Sequence, residues 1–337
     1  MQRKDDHIQH ALNQKERIND FDRIRFVPYA LPSQNVDTVD TTVTMFNQIF
    51  PYPIYINAMT GGTEKAKIIN EKLAIIAKTF NLPLASGSLS AAIKKPETAD
   101  SFTIMRQTYN DGFIIANIGI SAPVEYAFTA VKLLDANALQ VHINAPQEII
   151  MPEGDRDFSY WQDNLKEMIK TVSVPIIAKE VGFGMSAETL KTLKRLGIEY
   201  VDVSGVGGTN FIEIENHRRK HPLNTFDTYG FSTVESLLDA KKVEGLTIFA
   251  SGGVRNAYDI VKALALGAKM VGLSGYFLKL VSNHNLEEAI EITRELLYDI
   301  NKLMAILDCN TVDQLKNKPL LFDESLMLFI KQRHIPL

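Results

Sequence analysis

Residues 138–144 read ALQVHIN. Side chains alternate along a strand, so Leu139, Val141 and Ile143 share one face while Gln140, His142 and Asn144 share the other. The apolar face must cover helices, which turns the polar triplet toward an interior. A buried strand carries three polar residues only where something satisfies them, either a ligand or an internal network.

Working outward, seven more runs have strand character: IYINAMTGG from residue 54, LPLASGS from 82, FIIANIG from 113, VPIIAKEVG from 174, YVDVSG from 200, LTIFASGG from 246 and MVGLSG from 270. Helical patterns such as Glu64–Phe80 and Ala187–Leu196 separate most of them, the rhythm of parallel βαβ units. Eight such units predict an α/β fold closed into a (β/α)₈ TIM barrel. An open doubly wound sheet is the alternative, but the GxGxxG fingerprint is missing after the first strand. The 337 residues suit one large domain, with residues 1–53 as an amino-terminal extension. Residues 206–231, after the sixth strand, form a long insertion whose Phe211, Phe226, Tyr229 and Phe231 suggest a lid.

Composition narrows the function. Hydrophobic residues make up 45% and charged ones 23%, ordinary for a globule with a sizeable core. A net charge of −4 argues against nucleic acid as a partner. A single cysteine, Cys309, excludes an internal disulfide framework and a multi-cysteine metal site. The polar start MQRKDDHIQHALNQKER does not read as a secretory signal, and no apolar run is long enough to span a membrane. A soluble cytoplasmic protein is expected.

Nearly every run ends in glycine or small polar residues: Thr60-Gly61-Gly62, Ser86-Gly87-Ser88, Asn117, Asn144, Gly182, Ser204-Gly205, Gly252-Gly253 and Ser274-Gly275. The functional face of such barrels lies at the carboxyl ends of the strands. Strands six to eight carry SGVGGT from 204, SGGVR from 251 and GLSG from 272, whose glycines and hydroxyls suit a phosphate. Met59-Thr60-Gly61, Ser88, Asn117 and Lys179 would meet the other end of that ligand. FMN, a phosphate joined to a ring rich in carbonyls and nitrogens, fits both ends. Lys179, at the carboxyl end of its strand, would place a positive charge beside the flavin. It could also pair with Asp202 one strand over, or act as a Schiff-base lysine.

These residues bring a family into view. The segments RKDDH from residue 3, NAMTGG from 57, GSLSA from 87, NIG from 117, QVHINAPQE from 140, PEG from 152, KEVGFGM from 179, SGVGGT from 204, SGGVR from 251 and GLS from 272 run collinearly through most of the chain. Together they resemble the type 2 isopentenyl-diphosphate isomerases, flavoenzymes that interconvert isopentenyl and dimethylallyl diphosphate. The resemblance implies FMN reduced by NADPH or NADH, a requirement for Mg²⁺, and a homotetramer or larger homo-oligomer. It implies flavin contacts at Ala58, Met59, Thr60, Ser88, Asn117, Lys179, Ser204, Thr209, Gly253, Val254, Arg255, Ser274 and Gly275. Arg3 and Lys4 then resemble diphosphate ligands, Gln147 a substrate-contacting glutamine and Glu148 a Mg²⁺ ligand, while His142 and His7 match active-site positions. Three places depart from the family pattern: relatives often have Trp-Gly at Tyr229-Gly230, and Arg-Gly-Gly-Thr where this chain has Val206-Gly207-Gly208-Thr209, and the stretch NHRRKHP from residue 216 is particular to this chain.

The chemistry is consistent with these residue types. Moving the double bond adds one proton and removes another at carbons that are not acidic, a route through a tertiary cation that needs an electron-rich neighbour in a dry site. Glu148 supplies a carboxylate for Mg²⁺, although on its own it reads as a helix-start acid beside Pro146. Two rival readings stand beside the isomerase. An FMN-dependent 2-hydroxy-acid oxidoreductase would need a histidine base and a clamping arginine at the end of strand six, where the chain has Ser204-Gly205-Val206-Gly207. A non-catalytic flavin-binding protein would need no second polar site.

Overall fold

The computed structural model describes residues 12, 19–58, 60–216, 219–226 and 228–336. Its centre is a closed barrel of eight parallel strands. In chain order these are Ile54–Ile56, Leu84–Ala85, Ile114–Gly119, Ala138–Ile143, Ile176–Glu180, Tyr200–Asp202, Thr247–Ser251 and Met270–Leu273, and the last pairs with the first. Each expected strand is present, though the ladder is shorter than the apolar runs because their glycine and polar ends turn out into loops.

The helices start and stop where side chains satisfy their free backbone groups. Glu64–Phe80 begins at Thr63, whose hydroxyl accepts from Ala66 N at 3.2 Å, and ends on Asn81 in the left-handed region. Ala187–Leu196 is capped by Ser186 and stopped by Gly197 at φ +99°.

The two faces of each strand feed two separate cores. Outward residues such as Ile114, Ala116, Ile118, Leu139, Val141, Ala178, Val201 and Val271 join the helices in the larger core. Inward residues Tyr55, Ala85, Ile115, Ala138, Ile177, Phe249 and Met270 form an apolar layer inside the barrel. A hairpin, Val43–Met45 with Gln48–Phe50, closes that layer from below, and the Phe46 ring stacks on Phe113 at 5.0 Å. Two residues further along, the same face turns polar in five of the strands: Tyr55 gives way to Asn57, Ile115 to Asn117, Ala138 to Gln140, Ile177 to Lys179 and Phe249 to Ser251. The barrel interior is therefore greasy below and polar at the carboxyl-end mouth.

Residues 19–53 are partly extended. Asp20–Arg23 makes a short 3₁₀ turn, and Ile24–Phe26 pairs antiparallel with Leu320–Phe322 near the carboxyl end. No described helix is long and apolar enough to cross a membrane.

Candidate active site

The polar layer opens into a cavity of about 570 Å³ at the carboxyl ends of the strands, a size suited to a small-molecule or cofactor site. On one side its wall is glycine-rich loop. Gly252 has φ +92°, and a Cβ on it would lie 2.5 Å from Gly205 O. A Cβ on Gly205 would lie 2.1 Å from Thr233 N, so bare backbone is needed both where the loops after strands six and seven abut and where Thr233 crosses the strand-six loop. Ser204 adopts a positive φ of 25° at the top of strand six, where Asp202 Oδ1 accepts its N–H at 3.2 Å. The loop after strand eight runs straight into the helix Gly275–Asn283, whose first turn faces the cavity through Gly275 and Tyr276.

The opposite wall is built by strands three to five. Neighbouring strands place Asn117 beside Gln140, His142 beside Lys179, and Lys179 beside Asp202. Asn117, His142, Gln147 and Lys179 all line the cavity. Burial, reinforced by the nearby Lys179 ammonium, lowers the His142 pKa from 6.5 to about 3, so the imidazole is neutral across the physiological range. Its Nδ1 lies 2.8 Å from Asn117 Oδ1.

Lys179 does not pair with Asp202, contrary to one of the sequence expectations. Its Nζ donates to the Glu180 carbonyl at 3.0 Å, while Asp202 is occupied by Tyr55 OH at 2.7 Å, Asn57 Nδ2 at 2.9 Å and Ser251 OH at 2.7 Å. Neutral donors reach the acid first from inside the barrel. The Glu180 carboxyl points the other way and receives the N–H groups of Gly182, Phe183 and Gly184, fixing the loop that follows. Burial pushes its pKa up, against those donors.

Beyond strand four, Ala145–Ile150 is a short helix with Pro146 and Glu148 in its first turn, as the bare sequence suggested. Glu148 Oε1 accepts from Asn144 Nδ2 at 2.8 Å and Oε2 from Asp155 N at 2.8 Å. The PEG turn is folded beneath it, with Arg156 donating to the Glu148 carbonyl at 2.6 Å. Gln147 Nε2 donates to Glu215 Oε1 at 3.1 Å, tying this helix to Phe211–Asn216 in the insertion. Within that insertion Phe211 and Ile214 face the cavity, Ile212 packs with Ile150 and Phe183, and Tyr229 is exposed.

Residues 120–321 match the family model described as FMN-dependent dehydrogenase. The chain is 49% identical to the isopentenyl-diphosphate delta-isomerase of Staphylococcus haemolyticus, over 98% of this chain and 96% of that one. It is 45% identical to the Staphylococcus aureus protein of the same name, over 99% and 97% of the two. The chain belongs to the isopentenyl-diphosphate delta-isomerase family. Solved structures share its fold at much lower identity. A flavocytochrome b2 variant with pyruvate bound superposes with a TM-score of 0.69 at 20% identity, over 100% of this chain and 85% of that one. A chimeric (S)-mandelate dehydrogenase variant gives 0.67 at 18%, over 94% and 91%.

As an isopentenyl-diphosphate delta-isomerase family member, the chain gathers most of the residues expected from sequence around one cavity. Ala58, Thr60, Ser88, Asn117, His142, Gln147, Lys179, Ser204, Thr209, Gly253, Val254, Arg255, Ser274 and Gly275 all line it. Glu148 lies one residue from the lining Gln147, held as described above. Arg3, Lys4, His7 and Met59 fall outside the described residues. Arg255 is at the wall, but its guanidinium is engaged by Asp22 at 2.6 Å and by Asp259 at 2.8 Å. That pair and the Asn19 side chain, which donates to the Gly253 carbonyl, dock residues 19–23 on the glycine loops. Sequence reading missed Asn19, Asp22, Asn57 and Glu215, and it expected the Ser251 hydroxyl at a phosphate where the structure turns it to Asp202. Asn57 carries a usable signal, being two residues past an inward apolar position; Asn19, Asp22 and Glu215 depend on long-range packing.

Proposed function

We propose that this chain interconverts isopentenyl and dimethylallyl diphosphate with FMN held in the barrel-mouth cavity. The observation that carries the reading is the joining of two unlike walls in one cavity: glycine loops and a helix amino terminus on one side, and Asn117, His142, Gln147 and Lys179 on the other. The donor set suits FMN. Ser204, Thr209, Gly253, Val254, Arg255, Ser274 and Gly275 would hold its phosphate end by close backbone approach, and Ala58, Met59, Thr60, Ser88, Asn117 and Lys179 would border its ring. Reduced FMN supplies an electron-rich ring face and an exchangeable proton, which accounts for a flavin in a reaction without net redox change.

The chain's own residues do the rest. Lys179 brings fixed positive charge to the ring end of the site. Gln147 orients the substrate, steadied by Glu215. Neutral His142 and the surrounding side chains keep the site polar at its wall and sheltered from bulk water. Glu148 would contribute one carboxylate to Mg²⁺; no group of three His, Cys, Asp or Glu side chains gathers for a metal among the described residues, so phosphate oxygens and water would complete its shell. Arg3, Lys4 and His7 would neutralise the diphosphate. Residues 206–231 would serve as the lid of a single-domain barrel, NADPH or NADH as reductant, and a homotetramer or larger assembly as the working form in the cytoplasm.

A 2-hydroxy-acid oxidoreductase is disfavoured at strand six, where Ser204-Gly205-Val206-Gly207 offers neither a base nor a clamping arginine. The test is proton NMR of isopentenyl diphosphate in D₂O with the protein, Mg²⁺ and reduced FMN without oxygen. Deuterated dimethylallyl diphosphate formed without stoichiometric reductant supports the isomerase. An unchanged substrate beside bound flavin would sink it.

A further inference from the structure

A line of side chains crosses the polar layer from strand six to strand four, and its hydrogen atoms can be assigned from one end. Asp202, fully buried, receives Asn57 Nδ2 at 2.9 Å, and Asn57 Oδ1 receives the Ala58 N–H at 2.8 Å. A carboxylate only accepts and a backbone N–H only donates, so the amide of Asn57 cannot be reversed. Its Oδ1 must then also accept from Gln140 Nε2, at 3.1 Å. That leaves Gln140 Oε1 to receive Asn117 Nδ2 at 3.1 Å, and leaves Asn117 Oδ1 facing His142 Nδ1 at 2.8 Å. An amide oxygen cannot donate, so Nδ1 must carry the hydrogen.

We infer that Asp202 is a positioning residue for the active site: together with the Ala58 N–H it orients Asn57, and through Gln140 and Asn117 this fixes His142 as the Nδ1–H tautomer. Asn57, Asn117 and Gln140 are all buried, so bulk water does not compete for the links among Asp202 and these three amides, and only the last link, to the half-buried His142, borders the cavity. The remaining ring nitrogen, Nε2, has only a lone pair. His142 lines the cavity, so it offers a ligand a hydrogen-bond acceptor unless that ligand brings it a proton. The same chain holds the Asn117 amide in one orientation at the cavity wall. Its consequence for turnover rests on the active-site reading above; the tautomer itself does not.

The test is a long-range ¹H–¹⁵N correlation spectrum of the full chain labelled with ¹⁵N-histidine, with the His142 signal assigned by its loss in His142→Gln. The wild-type ring is expected to show a protonated Nδ1 and an unprotonated Nε2; the reverse pattern overturns the inference. Asn57→Leu cuts Asp202 from the relay, and Gln140→Met cuts it in the middle, each with a side chain of similar size. Either variant that folds should lose the single Nδ1–H pattern to a mixture of tautomers, and an unaltered pattern in a folded variant overturns the role of Asp202. Ser251→Ala removes one donor from Asp202 but leaves the relay whole, so it should keep the wild-type pattern. The isomerase assay run on the same protein separates the two readings: no product with the Nδ1–H ring present rejects the function and leaves the tautomer standing.

Discussion

His142 and Lys179 show how neighbours decide what a side chain can do. The alternation of Gln140, His142 and Asn144 was legible at once, because strand periodicity is local. The protonation state of His142 was not, since it depends on burial and on an ammonium from the next strand. The folded pKa lies below 6.5, at about 3. The unfolded chain therefore binds a proton on this residue below pH 6.5 that the folded chain refuses, and the stability this represents is whole above 6.5 and lost as pH falls toward 3. Urea unfolding between pH 7 and 4 should show wild type losing up to about 1.4 kcal/mol per pH unit more than His142→Gln. Parallel curves would mean that the ring is protonated in the fold. For Lys179→Met, flavin should still bind while kcat falls by roughly 100-fold, the usual size for one fixed electrostatic group at a reacting centre. Unchanged kcat at saturating FMN would remove Lys179 from the chemistry.

At the scale of elements, the strands were readable from apolar runs and the helices Glu64–Phe80 and Ala187–Leu196 from their periodicity. The glycine loops were readable as turns, but the reason for individual glycines was not. Gly205 is required because Thr233 N, from the helix Thr233–Ala240, passes where its Cβ would stand. Gly205→Ala should cost about 1–3 kcal/mol by thermal unfolding, as overpacking usually does, and should weaken FMN binding in a flavin titration. If stability and flavin affinity both hold, the strand-six loop and the helix start can separate without loss and their close approach is incidental. The helix that follows the insertion has its own anchor: Ser232 and Glu235 form a reciprocal capping box. Ser232→Ala should cost about 1 kcal/mol in urea unfolding, and a neutral result would show that other contacts, such as the Thr233 hydroxyl on the Ser251 carbonyl, hold the helix start.

For the whole molecule, the barrel divides into an apolar floor and a polar mouth, and ligand occupancy acts only on the mouth. A ligand that binds only the folded barrel stabilises it by mass action, so FMN at a hundred times its Kd should add about 2.7 kcal/mol and raise the midpoint of thermal unfolding. A midpoint indifferent to FMN would mean that the cavity does not take it. The sequence alone determined the strand count, the parallel α/β architecture and the glycine and small polar strand ends that face the cavity, because periodicity, glycine placement and local chemistry are written in consecutive residues; Gln147, Val254, Arg255 and other lining residues came from the family resemblance. Only the tertiary structure decided which donors reach Asp202, where the guanidinium of Arg255 is spent, how residues 19–23 dock on the glycine loops and that Glu215 meets Gln147. Those pairings join residues far apart in the chain, and barrel closure and packing, rather than local pattern, choose between partners that sequence leaves equally near.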